Sequence, residues 1–239
     1  MTELPEKKRI DIIDALRGFS VTLMVIHHLL FDLWQFLGAP SWLFTNPVFD
    51  VLQVFFAGLF IFLSGVSSQF SRSNIRRGIK VLLIAFAFTV VTSLPFVDMP
   101  ILFGVLHLLG FSMLVYGLTR KVWDQIPRIA APVLFIVLIT ASALAVKLIP
   151  IQAPYLWMFG WYTSDFFSAD YFPIFPWFFV FLLGTWAGFY IKERKLPEWF
   201  YEKKIAFFPA IGRKSLLIYI LHQPVIYGSM MLVLYLRQI

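Results

Sequence analysis

The stretch RIDIIDALRGFSVTLMVIHHLLFDLWQFL, residues 9–37, decides the fold. It is long and apolar enough to cross a bilayer as a helix, yet it holds Asp14, Arg17, His28 and Asp32. Each helical residue advances about 100°. Eleven steps therefore bring His28 to within about 20° of Arg17, and Asp14 and Asp32 each fall about 60° from Arg17. All four lie within a third of the circumference, and Gln35 returns to the bearing of Arg17. Leu16, Phe19, Leu23, Ile26, Leu30 and Leu33 occupy the opposite, lipid-compatible surface. The segment reads as a membrane span with a polar line down its inner side. Ionisable groups inside a membrane are costly and usually face a cavity or one another, so the line is a functional-site candidate.

Composition extends this reading to the whole chain. Of its 239 residues, 60% are hydrophobic and 14% charged, against about 25% charged in a soluble domain. That leaves too little polar surface for a water-soluble shell. Apolar stretches of roughly 20 residues recur, the length that crosses the hydrocarbon core. The expected fold is an all-α polytopic transmembrane helical bundle of about seven spans, roughly 11–35, 47–70, 77–97, 101–119, 130–149, 171–192 and 213–236. A short N-terminal segment, 1–10, precedes a single transmembrane helical domain, 11–239. The first span is too long and too charged for a cleavable signal peptide and lacks a small-residue cleavage site. No cysteine is present, which excludes disulfides, thiolate metal sites and a cysteine nucleophile.

Charge sets the orientation. With the N-terminus and its Lys7, Lys8 and Arg9 in the cytoplasm, the loops SRSNIRRGIK, TRKVWDQIPR and KERKLPEWFYEKKIAFFPAIGRK fall on the same side. All but Lys147 and Arg237 of the 20 Lys and Arg then lie there, as expected when basic loops resist translocation. The net charge of +7 thus needs no nucleic acid to explain it. The long outer loop, PIQAPYLWMFGWYTSDFFSADYFP, is aromatic, and its Trp157, Trp161, Tyr162 and Tyr171 suit the membrane–water interface.

Other polar groups sit within or beside the spans. His107 lies about 9 Å below the outer boundary, near the depth of His28, which is about 16 Å along the axis from Arg17. His222 and Gln223 precede Pro224, which is expected to kink the last span. Asn46 and Asp50 stand at the outer entrance of the second span, where Asp50 suits a helix N-terminus. Arg76 and Arg77 open the third. His27, turned about 100° from His28, reads as a packed histidine. Asp14 and Arg17 at i,i+3 suit a boundary ion pair. Gly58, Ser64, Gly65, Gly184 and Gly188 read as helix-packing positions. His28, His107, Asp32 and Asp50 lack the close spacing of a metal site, and no metal is expected.

Several blocks carry a resemblance. The first span, FIFLSGVSSQFSRSNIRRGIKVL, ILFGVLHLLG, YFPIFPWFFVFLLGTWAG and IGRKSLLIYILHQPV resemble, in order, blocks of the heparan-alpha-glucosaminide N-acetyltransferase catalytic-domain family, most closely its short bacterial branch. The spacing of Arg17 and His28 is also similar to that of membrane acyltransferases that modify bacterial polysaccharides. The resemblance implies transfer of an acetyl or acyl group from acyl-CoA, approaching from the cytoplasm, to a sugar or glycan hydroxyl or amine. It implies a bacterial plasma-membrane protein whose partners are the lipid bilayer, acyl-CoA and a glycan or small-molecule acceptor, with homo-oligomerisation open. Arg17 and His28 match the family pattern, His28 as catalytic base. Asp14, Asp32, His107 and His222 match motif positions without a fixed role.

Chemistry supplies an assignment beside the resemblance. Acyl transfer needs a base within hydrogen-bond reach of the acceptor and donors for the developing oxyanion. His28 is expected to deprotonate the acceptor with Asp32 fixing its ring, and His107 joins the catalytic set. Arg17, Arg76, Arg77, His222 and Gln223 are expected around the CoA donor, because guanidinium groups pair well with phosphate. Asn46 and Asp50 are expected on the acceptor side. The same polar line also suits a proton-coupled transporter or flippase of a small polar solute, or a non-catalytic membrane subunit that uses it to hold a partner helix.

Overall fold

A computed structural model describes residues 9–94 and 99–236. Lys7, Lys8 and Arg237, and the end of the third expected span, lie outside the described residues. Nine α-helices and two 3₁₀ turns account for the regular structure there. No strand forms among the described residues, and Phe103 and Tyr171 make one isolated bridge.

Seven helices are long: α1 (Asp11–Leu37), α2 (Pro47–Ser68), α3 (Asn74–Thr92), α4 (Val105–Asp124), α5 (Ala131–Leu148), α6 (Ile174–Lys192) and, after two short helices, α9 (Ser215–Leu236). Among the described residues, five segments are long and apolar enough to cross a membrane: α1, α2 with its preceding 3₁₀ turn, α5, α6 and α9. The other two long helices carry charge inside one end. Arg76, Arg77 and Lys80 fall in the first turns of α3, and Arg120, Lys121 and Asp124 in the last turns of α4. Of α5, only Ala131 and Phe135 are buried against protein, as suits a helix facing lipid.

The described chain divides into two compact units, and the boundary cuts α2. The first comprises residues up to Phe60 and from Leu196 onward. Its centre is α1, packed mainly against α8 (Phe208–Arg213) and α9, with α7 (Glu198–Glu202) and the 3₁₀ turn Ser41–Leu43 beside it. The segment 193–214, expected to be a basic loop, is therefore partly helical and folded onto α1. The reason lies in two glycines. A Cβ on Gly18 would stand 2.1 Å from the Phe208 carbonyl oxygen, and one on Gly212 would stand 1.8 Å from that of Asp14. No other residue type permits this backbone contact. Phe19 packs edge-on against Phe208 beside it, centroids 5.8 Å apart. At the other end of α1, Gly38 closes the helix in the left-handed conformation (φ 68°), where glycine carries no Cβ penalty. Phe44 then folds back onto Trp34 and Phe31. The expected kink at Pro224 does not break the helix, because α9 runs through it from Ser215 to Leu236. What the proline removes is one N–H, which leaves the carbonyl four residues earlier without its helical donor.

The second unit runs from Ile61 to Lys195. α3 pairs with α4, and α5 with α6. The second half of α2 meets α6 through Gly65, whose Cβ would lie 2.0 Å from the Phe181 carbonyl, and Gly184, whose Cβ would lie 2.0 Å from that of Phe62. These are packing glycines, as their spacing suggested. The loop 150–173 is tied down by polar contacts. Trp161 donates its indole N–H to the Ile149 carbonyl (2.9 Å), and the Tyr171 hydroxyl donates to the Trp157 carbonyl (2.5 Å).

Candidate active site

The polar line of α1 is met by α9. His28 Nδ1 lies 2.7 Å from His222 Nε2, the two rings near parallel at 23° with centroids 4.8 Å apart. One turn further along α1, Asp32 accepts hydrogen bonds from the Gln223 amide nitrogen at both carboxylate oxygens, 3.2 and 3.1 Å. His222 and Gln223 are consecutive and point about 100° apart on α9. They straddle the crossing, one reaching each of two α1 residues spaced by a turn.

The hydrogen-bond pattern fixes the protons of the neutral rings. His222 Nδ1 lies 2.7 Å from the Tyr219 carbonyl oxygen. A carbonyl can only accept, so Nδ1 of His222 carries the hydrogen and its Nε2 carries a lone pair. His28 Nδ1–H therefore donates to His222, and the lone pair of His28 sits on Nε2. That nitrogen has no partner among the described residues. An imidazole held from one side with a free lone pair on the other is the arrangement a general base requires.

Asp32 corrects the expected pairing. Its partner is Gln223, and His222 orients His28 instead. Asp32 is fully buried, and a buried carboxylate needs donors, which a histidine already turned toward α9 does not provide. Within the same amide, Gln223 Oε1 is buried without a hydrogen-bond partner. His222 and Gln223, expected around the donor substrate, thus stand against His28 and Asp32. His27 is buried and packs against Phe44 and Phe56, centroids 5.0 and 6.0 Å away.

Arg17 lies at the N-terminal end of the same line. It donates to Asp14 at 2.8 Å, so the i,i+3 pair is present. Arg9 and Arg213 also reach Asp14, and Lys204 and Arg213 reach Asp11. Sequence reading missed this grouping, because Lys204 and Arg213 looked like ordinary members of a basic loop. Tyr219 was missed as well, since its contribution is a backbone carbonyl that side-chain patterns do not reveal.

The remaining candidates have local structural partners. Asn46, also in the first unit, accepts the Val48 N–H through its side-chain oxygen and so starts α2, while Asp50 is exposed in the first turn. His107, in the second unit, uses both ring nitrogens. Nδ1 accepts the Gly104 N–H (3.2 Å), which leaves Nε2–H to donate to Thr89 Oγ1 (3.1 Å). Both ring nitrogens of His107 are thus engaged by partners at the start of α4 and on α3. The Asp170 carboxylate accepts the Val105 N–H (3.0 Å) at the same helix start. Arg76 and Arg77 open α3, where Ser73 Oγ accepts the Arg76 N–H (3.3 Å). Among the described residues, no group of three or more His, Cys, Asp or Glu is placed to hold a metal ion.

Five membrane-length apolar helices, with paired imidazoles and a buried carboxylate, define an integral membrane protein with a polar interior site. The family model described as heparan-alpha-glucosaminide N-acetyltransferase, catalytic, matches residues 9–224, and the chain belongs to that family. Membership points to a membrane acetyltransferase. Searches of curated proteins and of solved structures each returned no match.

Proposed function

We propose that the protein is a transmembrane acyltransferase that moves an acetyl or acyl group from acyl-CoA, bound on the cytoplasmic side, to a sugar or glycan hydroxyl or amine. The observation that carries this reading is the orientation of His28, whose Nδ1–H is held by His222 and whose Nε2 lone pair is free. In the reaction, His28 Nε2 takes the proton of the acceptor O–H or N–H as the acceptor attacks the thioester carbonyl. The tetrahedral intermediate then expels CoA as its thiolate, breaking the C–S bond, and the imidazolium returns the proton to sulfur. His222 fixes the tautomer and shares the charge that develops on His28. Asp32 and Gln223 hold the α1–α9 crossing one turn away.

The reading also includes an N-terminus in the cytoplasm, seven spans with α3 and α4 among them, and a bacterial plasma membrane. Charge asymmetry supports that orientation. It places Arg17 on the side where the charged end of CoA stays in water, with Arg76 and Arg77 on that same side and Asn46 and Asp50 on the acceptor side. A charged donor then never crosses the hydrocarbon, and its neutral thioester arm alone enters.

The test is transfer or hydrolysis of labelled acetyl groups from acetyl-CoA by purified protein. The wild type is expected to consume acetyl-CoA, and His28→Ala to lose that activity while keeping its melting temperature. Full activity in folded His28→Ala would remove His28 as the base, and an inert wild type would remove the enzyme reading.

A further inference from the structure

We propose that Lys204 and Arg213, brought to the base of α1 by the α7–α8 segment, form with Arg9 and Arg17 a cradle for the phosphate groups of the acyl donor. This rests on the acyl-CoA reading above and adds residues to it. Four cations converge on two carboxylates. Asp14 meets Arg17 at 2.8 Å, Arg213 at 3.7 Å and Arg9 at 3.8 Å, and Asp11 meets Arg213 at 3.5 Å and Lys204 at 3.6 Å. The group carries excess positive charge.

Burial is unequal across the pairs. The Asp11 and Asp14 side chains are 11% and 10% exposed, whereas those of Lys204 and Arg213 are 74% and 45% exposed. The carboxylates, with the Arg17 head bonded to Asp14 and 18% exposed, form a buried floor, and Lys204, Arg213 and Arg9 form a rim with donors turned to water. Lysine has three donors and arginine five, more than contacts of 3.5–3.7 Å engage. Arg213 is also fixed in place. Arg213 directly follows Gly212, whose backbone touches that of Asp14. A purely structural clasp of α8 onto α1 needs neither the excess charge nor the exposed heads.

Position adds a second argument. Arg17 and His28 share one bearing on α1, about 16 Å apart along the axis. A ligand with phosphates at one end and a reacting carbonyl at the other, joined by an extended flexible arm, matches that layout. An anionic phospholipid headgroup offers the same phosphate chemistry but has no reason to present a thioester at His28.

The experiment measures binding of CoA, of dephospho-CoA and of phosphate-free acetyl-pantetheine to the full chain in neutral detergent, for the wild type, Lys204→Gln and Arg213→Gln. Each variant is expected to bind CoA about tenfold more weakly, the size of one lost charge-assisted hydrogen bond, and to bind acetyl-pantetheine as the wild type does. Arg213→Lys is expected to recover part of the CoA affinity. Lys204 is exposed, so Lys204→Gln keeps the test valid if Arg213→Gln folds poorly. Unchanged CoA affinity in folded Lys204→Gln and Arg213→Gln overturns the cradle and leaves the acyltransferase reading standing. Failure of the wild type to bind any of the three ligands overturns that reading first. A second arm adds vesicles of phosphatidylglycerol. Loss of vesicle binding in the variants with CoA affinity unchanged assigns the rim to lipid and overturns the proposal.

Discussion

Replacing His222 by Phe tests the part of the site that geometry supplies. The aromatic ring keeps the packing against Tyr219, centroid 5.5 Å away, while the acceptor for His28 Nδ1–H is lost. The bond removed is short, 2.7 Å. Between neutral groups such a bond is worth about 1 kcal/mol net, and to a charged partner about 1.5–3 kcal/mol. His28 becomes imidazolium as it takes the acceptor proton, so the bond strengthens in the transition state, and only that difference changes the rate. A difference of about 1–2 kcal/mol corresponds to a roughly five- to thirtyfold fall in kcat. Loss of tautomer control deepens it. His222→Gln, whose amide oxygen can accept, should lose less. The assay is steady-state transfer from acetyl-CoA with melting temperature as the folding control. KM for the donor should move little, because in the proposed step His222 acts through His28. A folded His222→Phe protein with wild-type kcat, or a loss confined to KM, would refute the reasoning.

The packing and its hydrogen bonds set further outcomes. Gly212→Ala places a methyl 1.8 Å from the Asp14 carbonyl and should destabilise by at least about 1–3 kcal/mol, seen as a lower melting temperature in detergent. Gly228→Ala, with nothing within 4 Å, should melt like the wild type. Asp32→Leu strands the Gln223 amide and should cost about 1–3 kcal/mol, whereas Asp32→Asn keeps one acceptor and should cost less. A double-mutant cycle with Gln223→Leu should show coupling between the two sites. His107→Leu should lower stability because the Gly104 N–H loses its acceptor and Thr89 a donor, and a folded His107→Leu protein should retain the kcat of its parent.

The helical class and the polar line were legible because periodicity along α1 is a local property. Leu16, Phe19 and Ile26, assigned to the opposite surface, are indeed exposed. Each expected span contains a long helix, although charge near the ends of α3 and α4 leaves five that meet the length and hydropathy of a membrane crossing. Partners across helices were not legible. The i,i+4 spacing suggested His28 with Asp32, but each found its partner on α9, nearly two hundred residues away in sequence. His107 matched His28 in expected depth, yet its ring serves the start of α4 through a backbone N–H, which no side-chain motif announces. The α7–α8 segment was hidden by its charge. Lys204 and Arg213 satisfied the orientation rule, so nothing in the sequence separated them from neighbours that only face water.

The state of the His28 ring can be observed in the intact protein. Only four histidines are present, so nitrogen NMR of protein labelled at histidine can resolve them, with His28→Gln and His222→Gln giving the assignment. His28 should appear as the Nδ1–H tautomer with an unprotonated Nε2 and a coupling across the hydrogen bond to His222. A His28 protonated at Nε2, or free of any coupling to His222, would contradict its role as an oriented base.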